Sequence, residues 1–231
     1  MLREIVLDTE TTGLSPQAGD RLVEIGCVEL VNHVPTGRNH HVYINPERDM
    51  PEEAFKVHGL SEDFLRDKPV FADVATAFVD FIEDSTLIIH NAPFDMGFLN
   101  AELQAVGRAK LANPVIDTVM LARKVHPGAR VSLDALCKHY GIDNSRRTLH
   151  GALLDSEILA EVYLELIGGR QVALALSAEA QLSQKVSGHR APARQRPTPL
   201  PSRLTEAEHA AHLAFVAVMG EKAIWAQYDE G

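Results

Sequence analysis

Arg-Glu-Ile-Val-Leu-Asp-Thr-Glu (residues 3–10) begins as a short apolar run and ends on two acids. Such a run, closed by polar residues, predicts a buried strand. Asp8 and Glu10 stand two apart, so on a strand both side chains point to one face. Neighbouring carboxylates repel, and loss of water sharpens the repulsion. Either a solvated strand end or a bound cation makes the pair tolerable, and the pair alone leaves both readings open.

Working outward, residues 21–31 are rich in β-branched side chains and partly alternate, which predicts a second strand; residues 38–45 give a third. Pro16, Gly19, Asp20, Pro35 and Gly37 supply the turn signals. The short connections imply an antiparallel meander. After Pro51 the pattern turns helical, with apolar residues at helical spacing over 70–83. Residues 86–90 form a fourth strand. Asn91 and Pro93 mark a helix start, with Phe94, Phe98, Leu99 and Leu103 as its apolar face. A fifth strand is expected at 115–117 and a last clear helix at 151–167. The sum is an α/β or α+β domain with a mixed sheet of about five strands flanked by helices.

A chain of 231 residues accommodates one domain with a core and some extra length, and 45% apolar residues is ordinary for a globular protein. No run approaches a membrane span, and the first residues lack a long apolar stretch, so a cytoplasmic location is expected. Cys27 and Cys137 form no Cys-x-x-Cys pair; buried, reduced thiols are expected. The net charge of −10 argues against a protein that coats duplex DNA. It is compatible with an enzyme that grips a strand end through bound cations. Composition shifts near residue 177. Residues 188–203 hold four prolines, four arginines and no acid, which reads as a flexible linker spanning 177–204. A helical patch follows from Thr205 to Met219, and Trp225 lies near the end. The expected division is 1–176, 177–204 and 205–231.

Two further groups complete the chemistry. Asp95 falls in the first turn of the helix after Asn91, where the helix dipole favours an anion; a purely structural acid fits there equally. Asp155 shares an apolar stripe with Leu159, Val162 and Leu166, and a carboxylate on a buried face is costly unless paired or bound to metal. In one continuous helix His150 would point about 140° from Asp155, so His150 is expected at the entry to that helix, beside Gly151. Hard divalent cations take oxygen ligands. Two of them can stabilise the attacking and leaving oxygens of an in-line displacement at phosphorus, and a histidine can take the proton from the attacking water.

Leu-Asp-Thr-Glu-Thr-Thr-Gly (7–13), His-Asn-Ala-Pro-Phe-Asp (90–95) and His-Gly-Ala-Leu-Leu-Asp (150–155) resemble the three motifs of the DEDDh exonuclease superfamily. Val-His-Gly-Leu (57–60), Ser-Leu-Asp-Ala-Leu-Cys (132–137) and Arg-Thr-Leu-His-Gly-Ala-Leu-Leu-Asp (147–155) are similar to the epsilon proofreading subunits of bacterial DNA polymerase III. The resemblance covers residues 3–169. It implies a ribonuclease H-like α/β fold and 3′→5′ exonuclease activity on DNA with two Mg²⁺ or Mn²⁺ ions. Asp8, Glu10 and Asp155 would hold one ion, Asp95 would support a second that Asp8 bridges, and His150 would be the general base. Substrate contacts would come from Asp8, Thr9, Glu10, Glu53, His58, His90, Asn91 and Asp155. In the tail, the resemblance implies a sliding-clamp contact through Gln171, Leu174 and Leu176, for which a frayed helix end is an equal reading. It also implies attachment to the polymerase alpha subunit through 205–231, and leaves room for a small theta-like subunit. An RNA-trimming relative and a catalytically silent scaffold subunit are the alternative readings.

Overall fold

The computed structural model describes residues 2–147, 149–168 and 204–219. The chain divides into two units, 1–176 and 177–231. In the first, five strands form one sheet: β1 (Arg3–Thr11), β2 (Leu22–Val31), β3 (Val34–Tyr43), β4 (Thr86–Ile89) and β5 (Val115–Asp117), in the order β3-β2-β1-β4-β5. The first three are antiparallel neighbours, as the short connections imply; β4 and β5 run parallel to β1. The helices are α1 (Glu52–His58), α2 (Glu62–Leu65), α3 (Phe71–Ile82), α4 (Ala92–Ala105), α5 (Thr118–Val125), α6 (Leu133–Tyr140) and α7 (Ala152–Leu166). The described part of the second unit is one helix, α8 (Glu206–Met219). The segment 171–176, most of the expected linker and Trp225 lie outside the described residues.

One expectation needs correction. Pro35 and Gly37 do not turn the chain between β2 and β3. The turn is made by Asn32 and His33, both with positive φ (50° and 65°), the backbone that a tight two-residue hairpin requires. Pro35 and Gly37 lie inside β3, which is an edge strand and tolerates a residue without an N–H. The β2–β3 register shifts between Val28 and Leu30, opposite this stretch.

Strand alternation decides where the site forms. Ile5 and Leu7 of β1 face a core built with Phe71, Phe78, Phe98 and Leu99 of α3 and α4. Val6 faces the opposite core, built with Leu136, Ile158, Leu159 and Val162 of α6 and α7. Each such buried side chain contributes about 1.5–3 kcal/mol. By the same two-residue period Asp8 and Glu10 fall on the α7 face, and Thr9 falls on the α4 face. α7 is seated closely. The Ser156 hydroxyl donates to the Gly26 carbonyl at 2.9 Å, and the Tyr163 hydroxyl donates to Glu4 of β1 at 2.7 Å. Cys27 and Cys137 are buried and unpaired, as composition suggested.

Candidate active site

The carboxyl ends of β1 and β4 meet the first turns of α4 and α7. Asn91 caps α4 in a left-handed conformation (φ 68°), which Asn tolerates better than most residues. Its N–H donates to the Asp117 carboxylate at 3.3 Å. The helix therefore starts directly after β4 and carries Asp95, 2% exposed, in its first turn. The Thr9 hydroxyl donates to Asp95 Oδ1 at 2.7 Å, which ties the acid on one face of the sheet to the strand bearing Asp8 and Glu10 on the other. Asp155 lies in the first turn of α7, also buried, and its N–H donates to the Gly151 carbonyl. His150 precedes α7, as its spacing from Asp155 demands. It is exposed, and its backbone N–H donates to the Val57 carbonyl of α1 at 3.1 Å.

Asp8, Thr9, Glu10, Glu53, His58, His90, Asp95 and His150 line one cavity of about 520 Å³. Asn91 and Asp155 do not line it: Asn91 is the exposed cap of α4, and Asp155 lies beneath Arg147. Leu14, Pro51, Ala54, Val57 and Phe94 give the cavity an apolar wall that sequence reasoning did not assign. Sequence reasoning also missed Glu24, which pairs across the strands with Glu10 and is held by His41 Nε2 at 2.7 Å. Arg147 was missed too, although it opens the quoted stretch 147–155.

The electrostatics are those of buried acids crowded together. Burial pushes the Asp8 carboxyl well above the usual range, and the charges of Asp95, Glu10 and Asp155 add to it. Burial, then Glu24, raises Glu10 to about 8. Burial raises Asp95 to about 7 against the opposing hydrogen bond from Thr9. One ligand atom each from Glu10, His150 and Asp155 lie within 4.8 Å of one another. The carboxylates Asp8, Glu10, Asp95 and Asp155 supply the oxygen ligands that hard divalent cations take, and such a cation would relieve their crowding.

A stability prediction follows. Glu10 and Asp95 keep protons in the folded state that they release when unfolded, so folding is most favoured below the unfolded carboxylate range and weakens as pH rises towards 8. In EDTA the melting temperature should fall between pH 5 and pH 8. Added Mg²⁺ should raise it most at pH 8. A flat or rising profile would contradict this electrostatic account.

Residues 5–163 match the family model described as Exonuclease. DNA polymerase III subunit epsilon of Rickettsia conorii is 51% identical over 221 residues, covering 94% of this chain and 96% of that protein. The same subunit of Escherichia coli K12 is 46% identical over 235 residues, covering 96% and 97%. This chain belongs to the DNA polymerase III epsilon subunit family. It is an enzyme, a proofreading 3′→5′ exonuclease of the epsilon type. Solved structures agree on the fold. Exonuclease X in complex with 5′ overhanging duplex DNA superposes with a TM-score of 0.57 at 24% identity, covering 81% of this chain and 95% of its own. The zinc-bound complex of E. coli exonuclease I with single-stranded DNA gives 0.64 at 19%, covering 74% and 41%. Asp8, Glu10, Asp95, His150 and Asp155 all fall inside the matched span.

Proposed function

We propose that the cavity receives the 3′ end of a single DNA strand and releases a nucleoside 5′-monophosphate, using two Mg²⁺ or Mn²⁺ ions held by Asp8, Glu10, Asp95 and Asp155. The observation that carries this reading is that Asp8, Glu10, Asp95 and His150 line one cavity, with a carboxylate oxygen of Asp155 within 4.8 Å of ligand atoms of Glu10 and His150, and with Asp8, Glu10 and Asp95 raised by burial. When bound, the ions supply a more acidic water and neutralise charge on the attacking and leaving oxygens. Asp8, whose carboxyl is influenced by the charges of Asp95, Glu10 and Asp155, would serve both ions; Glu10 and Asp155 would complete one site and Asp95 the other. Thr9 orients Asp95 through their hydrogen bond. His150 takes the proton from the attacking water. Mispaired ends are favoured because they fray at lower cost, so they reach the cavity more often.

His58 is placed to hold the terminal nucleotide. Its Nδ1 accepts from the Leu60 N–H at 3.0 Å, which puts the proton of the neutral ring on Nε2. That atom is buried and has no hydrogen-bond partner among the described residues, while the nearby Thr11 backbone works against the lowering of the ring's pKa by burial. A nucleotide oxygen in the cavity would satisfy it. His58→Ala should raise KM about tenfold, the size of one hydrogen bond to a charged group, with a smaller change in kcat. An unchanged KM would remove His58 from the substrate contacts.

For partners, we propose attachment to the polymerase alpha subunit through 205–231. Leu213 and Phe215 of α8 are exposed, and a tether raises the local concentration of the exonuclease beside its polymerase. A clamp contact through Gln171, Leu174 and Leu176, a theta-like subunit and a cytoplasmic location belong to the same proposal. No helix among the described residues is long and apolar enough to cross a membrane. The reading is tested with 5′-labelled DNA and RNA strands of one sequence in Mg²⁺. Stepwise shortening of the DNA from its 3′ end, faster than of the RNA, is expected. Preference for RNA would favour an RNA-trimming enzyme, and no turnover of either would favour a silent scaffold.

A further inference from the structure

Arg147 lies in the loop between α6 and α7, and its side chain is only 10% exposed. Nε donates to Asp155 Oδ1 at 2.6 Å and Nη2 to Asp155 Oδ2 at 2.8 Å. Nη2 also reaches His150 Nδ1 at 2.8 Å, and Nη1 donates to Asp134 Oδ1 at 3.0 Å. One cation thus engages both oxygens of an expected metal ligand and a ring nitrogen of the expected base. A guanidinium has donors only, so His150 Nδ1 must turn its lone pair towards Arg147. The neutral ring then carries its proton on Nε2, and neither nitrogen is open to a proton from water. His150 Nδ1 and Asp155 Oδ2 are 3.4 Å apart, longer than the contact to Arg147. Asp8, Glu10 and Asp95, by contrast, have no Arg or Lys in ion-pair contact among the described residues.

We propose that Arg147 is a displaceable cationic latch: it competes with a divalent cation for Asp155 and, on leaving, frees His150 in the same movement. The proposal rests on the reading of Asp155 as metal ligand and His150 as base. A guanidinium and a divalent ion on one carboxylate repel strongly in a poorly solvated site, so the two occupy Asp155 in turn. The loop has the means to let go. Its outer anchor, Asp134, is an exposed residue of α6, and an exposed ion pair holds only weakly. The base therefore becomes available when the metal ligand does, which keeps the two halves of the chemistry together. Arg147 acts through Asp155 and His150 and is a positioning residue. The contrary arrangement is a fixed bracket, in which Arg147 stays on Asp155 while the ion takes the remaining lone pairs; removing it would then weaken metal binding.

The test is calorimetric titration of Mg²⁺ into the metal-free full chain, for wild type, Arg147→Gln and Asp134→Asn. The latch predicts tighter binding in Arg147→Gln by about fivefold or more, the scale of a coupling between competing occupants. It predicts about twofold tighter binding in Asp134→Asn, which loosens the outer anchor alone. Nitrogen-15 spectra of the imidazoles supply a readout independent of affinity. The His150 Nδ1 signal should move on Mg²⁺ addition in wild type and should start near its released position in Arg147→Gln. Equal or weaker binding in Arg147→Gln, with Asp134→Asn unchanged, overturns the latch and leaves the metal site standing. Failure of the wild type to bind Mg²⁺ overturns the metal site and the latch with it.

Discussion

Asp8→Asn should lose at least about a thousandfold in kcat if, as proposed, Asp8 serves both ions, because metal ions contribute several kcal/mol to phosphodiester cleavage. The same substitution should make the metal-free protein more stable. Asp8 is pushed well above the usual carboxylate range by burial and by the charges of Asp95, Glu10 and Asp155. A neutral side chain of equal shape relieves that repulsion. A rise of a few degrees in melting temperature in EDTA is expected, since about 1 kcal/mol is worth roughly 2–4 °C in a domain of this size. Opposite movements of activity and stability distinguish a functional acid from a structural one. Wild-type turnover in Asp8→Asn, measured on a labelled single strand with contaminating nucleases excluded, would remove Asp8 from the reaction.

Gly26→Ala should be damaging for a geometric reason, although residue 26 bears no chemistry. Gly26 lies on β2 opposite Asp8, under the first turn of α7. An added Cβ there would overlap the backbone of Ala152 and Leu153. Backbone cannot rotate away as a side chain can, so the helix must shift or the strand must bend. The Ser156 bond to the Gly26 carbonyl would be strained at the same place. Overpacking of this kind costs about 1–3 kcal/mol. The displaced element carries Asp155, and a shift of about 1 Å in a catalytic group can cost a hundredfold in rate. Thermal melts and kcat/KM together check it. A variant that keeps wild-type stability and rate would show that α7 is not held at the distance described.

How much of this was legible in the sequence depends on the range of the interactions. β1 is covered on both faces, so it appears as an unbroken apolar run. The acids were legible because a carboxylate among apolar neighbours is costly, and Asp155 on the stripe of Leu159 and Val162 is the clearest case. The start of β3 was not legible. An edge strand can hold Pro35 and Gly37, so turn-forming residues there carry no signal of a turn, while Asn32 and His33 take the strained conformations. The hydrogen bond from Thr9 to Asp95 joins β1 to α4 across 86 residues of sequence. Gly26 and Arg147 act through close approaches made only after α7 has docked, and no local pattern announces such contacts. His150 shows the complementary case: its spacing from Asp155 already placed it outside the helix, and that is where it stands.

The central claim is that this cluster of acids removes 3′-terminal nucleotides from DNA only with divalent ions among them. The most direct measurement follows matched and mismatched primer ends in Mg²⁺, with and without EDTA, and identifies the released product. The account predicts faster shortening of the mismatched end, nucleoside 5′-monophosphates as product, and complete arrest by EDTA. Undiminished release in EDTA, or release of 3′-monophosphates, would contradict it.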